Sequence, residues 1–135
     1  MKKFHKYVIV HDCGTIINPM IVDGQFYGAT PQGIGGTIYE YLVFDDNGQP
    51  LATTFMDYLL PTVHDVPKLE LHHIQTASPH TGLGIKGVGE SGTVFAPTAI
   101  ATGVGDALGV PVDRLELNPS AVYDLLRKSN GEALR

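Results

Sequence analysis

The sequence predicts an α+β fold, with helices packed on a small, mostly antiparallel sheet, in a single unit spanning residues 1–135. Three observations lead there. Short β-branched or alternating runs at 6–11 (KYVIVH) and 69–77 (LELHHIQTA) have the pattern of strands. Asn47-Gly48 lies between the apolar runs 41–46 and 50–55, which is the strongest short hairpin signal. The longer stretches 20–40 and 90–108 are rich in small and apolar residues, as in helices that other backbone approaches closely.

Taken in order, the first strand stops at Asp12 and Gly14. Asn18-Pro19 is a helix-start signal, because Asn caps and Pro suits the first helical position. The helix that follows carries Ile21, Phe26, Ile34, Ile38 and Tyr41 as its apolar positions. Pro31 removes a hydrogen bond inside it, so a kink or break is expected near 30–31. Residues 57–66 and 78–89 read as loops. The 90–108 stretch reads as a buried helix with Pro97 near its start; its apolar part, 94–108, expects cover on all sides, so the chain alone is expected to show exposed apolar surface and to oligomerise. Asn118-Pro119 opens a last helix, 120–128, with Val122, Leu125 and Leu126 on one face, and the tail SNGEALR reads as frayed.

Composition narrows the function classes. The 135 residues are 43% hydrophobic and 17% charged, ordinary for a globular chain. The net charge of −5 carries no basic footprint for nucleic acid. No apolar run approaches the roughly 18 residues of a membrane span. The N-terminus has no apolar core or cleavage site of a signal peptide. Cys13 stands alone, which excludes an internal disulfide and fits a reducing, cytoplasmic setting.

The most informative segment is Gly82–Glu90, GLGIKGVGE. Four glycines in nine residues imply unusual backbone angles or close approach to a ligand. Glu90 closes the loop at the mouth of an apolar helix, where backbone N–H groups point at a bound group. Burial there would make it a tunable proton acceptor. A helix-start Glu favoured by the dipole is the plain alternative. Gln25 offers uncharged donors and an acceptor, or is a solvent-facing helix residue; Gln32, in Q-G-x-G, is a weaker candidate, and its glycines Gly33 and Gly35 read equally well as serving helix packing alone. Lys86 is either a ligand contact or a solvated loop lysine.

Other patterns carry less. Gly82-x-Gly84-x-x-Gly87 satisfies a dinucleotide fingerprint, with Asp106 about 20 residues on. Ser78-Pro79-His80 separates it from the strand, and Asp106 reads as helical, so this reading is rejected. His11, Asp12 and Cys13 are adjacent, unlike the spacing of a zinc site, and read as a structural turn with no metal ligand. His64, His72, His73 and His80 read as loop and surface residues. Asp57 and Tyr58 read as packing and hydrogen-bonding residues.

KGVGES followed by an Ala/Pro/Thr/Gly-rich helix resembles the molybdenum-binding large subunit of the xanthine dehydrogenase, aldehyde oxidase and aerobic carbon monoxide dehydrogenase family. HDCGTIINPMIVDGQFYGATPQGIGGTIYE is similar to the family's D-C-G, I-N-P, G-Q and Q-G-x-G run, and TTFMDYLLPT and ASPHTGLGIKGVGE follow in family order. Pro31 departs from the pattern. The resemblance implies the C-terminal portion of a molybdopterin-binding domain, with the upstream part missing from this chain as a fragment, truncated frame or split piece. It implies an oxidoreductase that hydroxylates an aldehyde or N-heterocycle type carbon using water, inactive without the upstream part. Glu90 is then the catalytic base. Gln25, Gln32, Lys86, Gly87, Val88 and Gly89 are cofactor contacts. The implied cofactor is molybdenum on molybdopterin, in its cytosine dinucleotide form. Iron–sulfur clusters and FAD are expected on partner subunits, alongside the rest of the molybdenum subunit, in an oligomer. The alternative is a non-catalytic fragment or partner-packing subunit without cofactor. Substrate identity is expected in the missing upstream part.

Overall fold

The structure is a computed structural model that describes residues 4–131. Its elements run β1 (Lys6–Asp12), α1 (Pro19–Ile38), β2 (Lys68–Ile74), α2 (Ser91–Leu108) and α3 (Pro119–Ser129). Glu132–Arg135, the end of the expected frayed tail, lie outside the described residues; helix α3 itself reaches Ser129.

The sheet corrects the sequence expectation. β1 and β2 are parallel, paired from Lys6↔Lys68 to Asp12↔Ile74. The chain between them contains α1, the crossover that parallel strands require. The expected antiparallel hairpin shrinks to a turn. Gly48 takes φ +80, and the Asp45 carboxylate accepts from the Asn47 and Gln49 amides, both at 2.9 Å. Only one bridge, Phe44↔Pro50, extends it. Pro50 has no N–H to continue a ladder. Leu42, Phe44 and Leu51 are exposed, so no layer rewards longer pairing.

Both Asn-Pro signals work as read. Asn18 accepts from the Ile21 amide and Asn118 from Ala121, each with Pro at the first helical position. Helix α1, however, is not broken at Pro31. Phe26, Ala29, Thr30, Gly33 and Ile34 are all buried around it, and that packing offsets the lost hydrogen bond.

α1 and α2 pack through small residues. A Cβ on Gly33 would lie 2.6 Å from the Ala96 Cβ and 2.9 Å from the Thr93 carbonyl oxygen. One on Gly92 would lie 2.8 Å from the Thr30 hydroxyl. The Thr93 hydroxyl donates across the contact to the Ala29 carbonyl at 2.9 Å. Below it, Ile34, Ile100, Ala101, Leu117 and Leu125 form one core cluster that brings in α3. Cys13, Val22 and Phe26 form a second, under the sheet, with Ile9, Leu71 and Val88 against it. Among the described residues nothing covers Val94 and Phe95, which are exposed, in line with the exposed apolar surface expected of this chain alone.

Gly33→Ala is expected to destabilise the chain by about 1–3 kcal/mol, because backbone and a neighbouring Cβ must shift. Gly36→Ala meets nothing within 4 Å and is expected to stabilise by about 0.5–1 kcal/mol through helix propensity. Denaturant midpoints of the two variants should move in opposite directions from that of the unchanged chain.

Candidate functional site

The site is built on the carboxylate of Asp12, at the end of β1. One oxygen accepts from the Gly14 amide at 2.8 Å and the Thr76 amide at 3.1 Å; the other meets the Lys86 ammonium at 2.8 Å. A single side chain thus ties together the turn after β1, the segment after β2 and the glycine-rich loop. The Lys86 ammonium, followed by the Thr76 and Gly14 amides, holds the Asp12 carboxyl far below the usual carboxylate range.

Backbone pairing repeats the same junction. Lys86 N–H donates to the Cys13 carbonyl at 2.8 Å, and Gly14 bridges Ile85. The Gly84 carbonyl accepts from both Thr15 and Ser78. Gly84 needs its glycine here: φ is +70, and a Cβ would lie 2.8 Å from that of Ala77. The first half of the loop is therefore fixed to the Asp12-Cys13-Gly14 turn.

The second half is open. Among the described residues, the amides of Gly87, Val88, Gly89 and Glu90 donate to no partner. A Cβ on Gly87 or Gly89 would meet nothing within 4 Å. Val88 turns inward against the cluster of Cys13, Val22 and Phe26, which sets the loop on the turn of α1 that carries Gln25. Glu90 is the N-cap of α2, but its side chain makes no capping hydrogen bond. It is exposed, contrary to the burial expected from the sequence. The N-terminus of α2 opens outward, and no described element lies over it.

The remaining candidates are unevenly placed. Gln32 is exposed on α1 and lies 3.5 Å from the Thr93 hydroxyl in the first turn of α2. Gln25 is exposed, and no described residue hydrogen-bonds its side chain. The structure brings together Lys86–Glu90 and the first turn of α2, with Gln32 beside it. Asp12 is the residue that sequence reasoning missed; its adjacency to Cys13-Gly14 signalled a turn but gave no hint of Lys86, 74 positions on. Asp57 and Tyr58 do hydrogen-bond, to Thr54 at 2.9 Å and Glu40 at 2.6 Å. His73 is not a surface residue. Its ring is part-buried, 2.7 Å from Asp23, and near Phe26. Burial and neighbouring His73 push the His11 imidazole below its ordinary pKa, with Asp12 opposing.

Residues 2–67 match the family described as Molybdopterin cofactor-binding domain. Over 129 residues the chain is 47% identical to the Nicotine 6-hydroxylase large subunit of Paenarthrobacter nicotinovorans, covering 96% of this chain and 16% of that protein. It is 39% identical over 131 residues to the Carbon monoxide dehydrogenase large chain of Hydrogenophaga pseudoflava, covering 95% and 16%. The chain belongs to the molybdenum-binding large-subunit family of xanthine dehydrogenases, aldehyde oxidases and carbon monoxide dehydrogenases. Solved structures agree with this molybdenum-subunit assignment. Quinoline 2-oxidoreductase from Pseudomonas putida 86 superposes with a TM-score of 0.86 at 40% identity, covering 93% of this chain and 16% of that one. A Cu,Mo-CO dehydrogenase gives 0.87 at 31% identity, covering 95% and 16%. The chain therefore spans about one sixth of the length of these relatives.

The open half of the loop fits the group that this family binds. Four consecutive free amides at the mouth of a helix suit a ligand rich in hydrogen-bond acceptors, as a pterin edge or a phosphate is.

The Asp12 junction has a pH signature. Its depressed carboxyl means that the ionised form favours the folded chain, so the stability it contributes is fully present above the unfolded value of about 4 and is lost as pH falls below it. Asp12→Asn should lower the denaturant midpoint at neutral pH and make the loss on acidification smaller than in the unchanged chain.

Proposed function

We propose that this chain is the glutamate-bearing portion of a molybdenum hydroxylase, with residues 1–135 acting as one unit that holds molybdopterin and supplies the catalytic base. The observation that carries this reading is the run of four free amides ending on Glu90 at the N-terminus of α2. Gly87, Val88 and Gly89 offer backbone donors to the cofactor. Gln25 and Gln32 offer amide groups from the neighbouring helix. Lys86 acts mainly through its bond to Asp12, which holds the loop in place.

Molybdopterin, in its cytosine dinucleotide form, would supply the two-electron oxidation of an aldehyde or N-heterocycle type carbon, with water as the oxygen source. Glu90 would accept the proton released in that reaction. Nothing hydrogen-bonds its carboxylate within α2, so it is free to do so. Cover from the rest of the subunit would strip water from Glu90, and a desolvated carboxylate is a stronger proton acceptor. Electrons would leave through iron–sulfur and flavin centres on partner subunits, in a cytoplasmic assembly. No helix among the described residues is long and apolar enough to cross a membrane.

The exposure of Glu90, Val94 and Phe95 favours one second reading: a piece that packs on a partner without cofactor. Gentle purification from the native host, with molybdenum and co-purifying polypeptides measured together, separates the two. Metal with a larger partner supports the hydroxylase; a partner without metal supports the packing role. In the assembled enzyme, Glu90→Gln should lower turnover by about 10²–10⁴-fold with molybdenum content unchanged. Near-normal turnover would remove the general-base assignment.

A further inference from the structure

Two imidazoles stand side by side beneath the end of the sheet. His11 of β1 and His73 of β2 are partners in the parallel register, so their side chains share a face. Both meet Phe26 of α1, with ring centroids 4.7 Å away for His11 and 6.2 Å for His73. One carboxylate serves the pair: the Asp23 Oδ1 lies 2.7 Å from the His73 Nε2. The His11 Nε2 is shielded from solvent and has no hydrogen-bond partner, and so is the His73 Nδ1. A charged imidazole carries a proton on both ring nitrogens. Charging His11 would therefore put a buried N–H where no acceptor stands, which is costly.

The groups around His11 give little relief. On β1, Asp12 follows it directly and opposes the effect of burial, but that carboxylate is already held by Lys86 and by the Gly14 and Thr76 amides. Tyr7, on the same strand, is pushed upward by burial and stays neutral. On β2, His73 adds repulsion when it carries charge. On α1, Asp23 is committed to His73. The α2 residues beside β1, Ser91, Gly92, Phe95 and Ala99, carry no charge.

We propose that His11, His73 and Asp23 form an acid-sensitive joint between the sheet and α1, which frees the glycine-rich loop when His11 takes up a proton. The route to the loop is short. His11 immediately precedes Asp12 and Cys13, which hold Lys86 by side chain and backbone. Its ring also packs on Phe26, in the cluster that seats Val88. Displacing His11 disturbs both supports at once. The regulatory meaning, control of the loop's hold on a cofactor, rests on the hydroxylase reading. The folded chain binds this proton less readily than the unfolded chain. The stability His11 contributes is therefore fully present above its ordinary value of about 6.5 and is lost as pH falls below it.

Hydrogen exchange of the full chain between about pH 7.5 and 5 tests the joint, in the range where histidine changes charge. Asp12 stays ionised throughout that range. Protection of the Lys86 and Thr15 amides, which bond Cys13 and Gly84, should fall several-fold on acidification. The amides of Ile100 and Ala101, in the other core cluster, should keep theirs, as in a local opening. His11→Phe should abolish the response. His11→Gln, polar but uncharged, should do the same if the larger ring disturbs packing. His73→Gln should shrink the response, because one opposing charge is removed. His72→Gln, on the opposite face beside Glu70, should leave it unchanged.

Constant protection across this range overturns the proposal. So does a loss that both His11 variants retain, or one that Ile100 and Ala101 share in full. The hydroxylase reading fails separately: a response that depends on His11, in a chain that carries no molybdenum when purified from its host, leaves the joint intact and removes the cofactor role. A molybdenum-bearing protein whose loop ignores His11 does the reverse.

Discussion

The close approach of α1 and α2 at Gly33 and Gly92 is the constraint on which the rest of this structure depends. Helices usually pack 8–10 Å apart, a distance set by the side chains between them. Here one partner at each crossing has no side chain, and a Cβ at either would overlap its neighbours. The Thr93 hydroxyl closes the contact by bonding the Ala29 carbonyl. This fixes the first turn of α2 on the middle of α1, and so fixes where Glu90 stands. It also aligns Ile34 with Ile100, which Leu117 and Leu125 complete as a core. Pro31 survives inside α1 because the helix there is held by this packing more than by its own hydrogen bonds.

A second anchor works on the loop. Asp12 holds Lys86 while the Cys13 carbonyl holds the Lys86 amide, so the loop is gripped at one residue by side chain and backbone together. Immediately afterwards, among the described residues, four consecutive backbone amides have no acceptor. A loop proposed to bind a ligand gains from this division. Donors that are free but freely moving would lose entropy on binding, whereas free donors between a pinned residue and a helix start are already placed. Lys86, which the sequence offers as a ligand contact, contributes chiefly to that placement.

What the sequence made legible was local. The two Asn-Pro helix starts, the Asn47-Gly48 turn and the helical run after Glu90 each follow from neighbouring residues, and each is present. The glycine-rich loop could be recognised from its composition, and the family from motifs in order. What escaped was long-range. Parallel pairing of β1 with β2 depends on residues more than 60 positions apart, and no local pattern separates it from a hairpin sheet. The bond from Asp12 to Lys86 is hidden for the same reason. The exposure of Glu90 was misread because an apolar helix suggests burial, while burial depends on what lies over it. His73 was misread as a surface residue because alternation in a strand does not reveal which face meets Phe26.

The unfinished features of the chain are of two physical kinds. Exposed Val94, Phe95 and Met20 can be covered by almost any apolar surface, because the hydrophobic effect has no direction. The Thr30 hydroxyl and the His11 Nε2 are already buried, where no cover reaches them. Each needs a partner at hydrogen-bond distance and angle, and no described residue supplies one. Apolar exposure therefore supplies affinity for a cover, while the unpaired polar atoms remain a cost inside the chain itself, larger for His11 whenever its ring is charged.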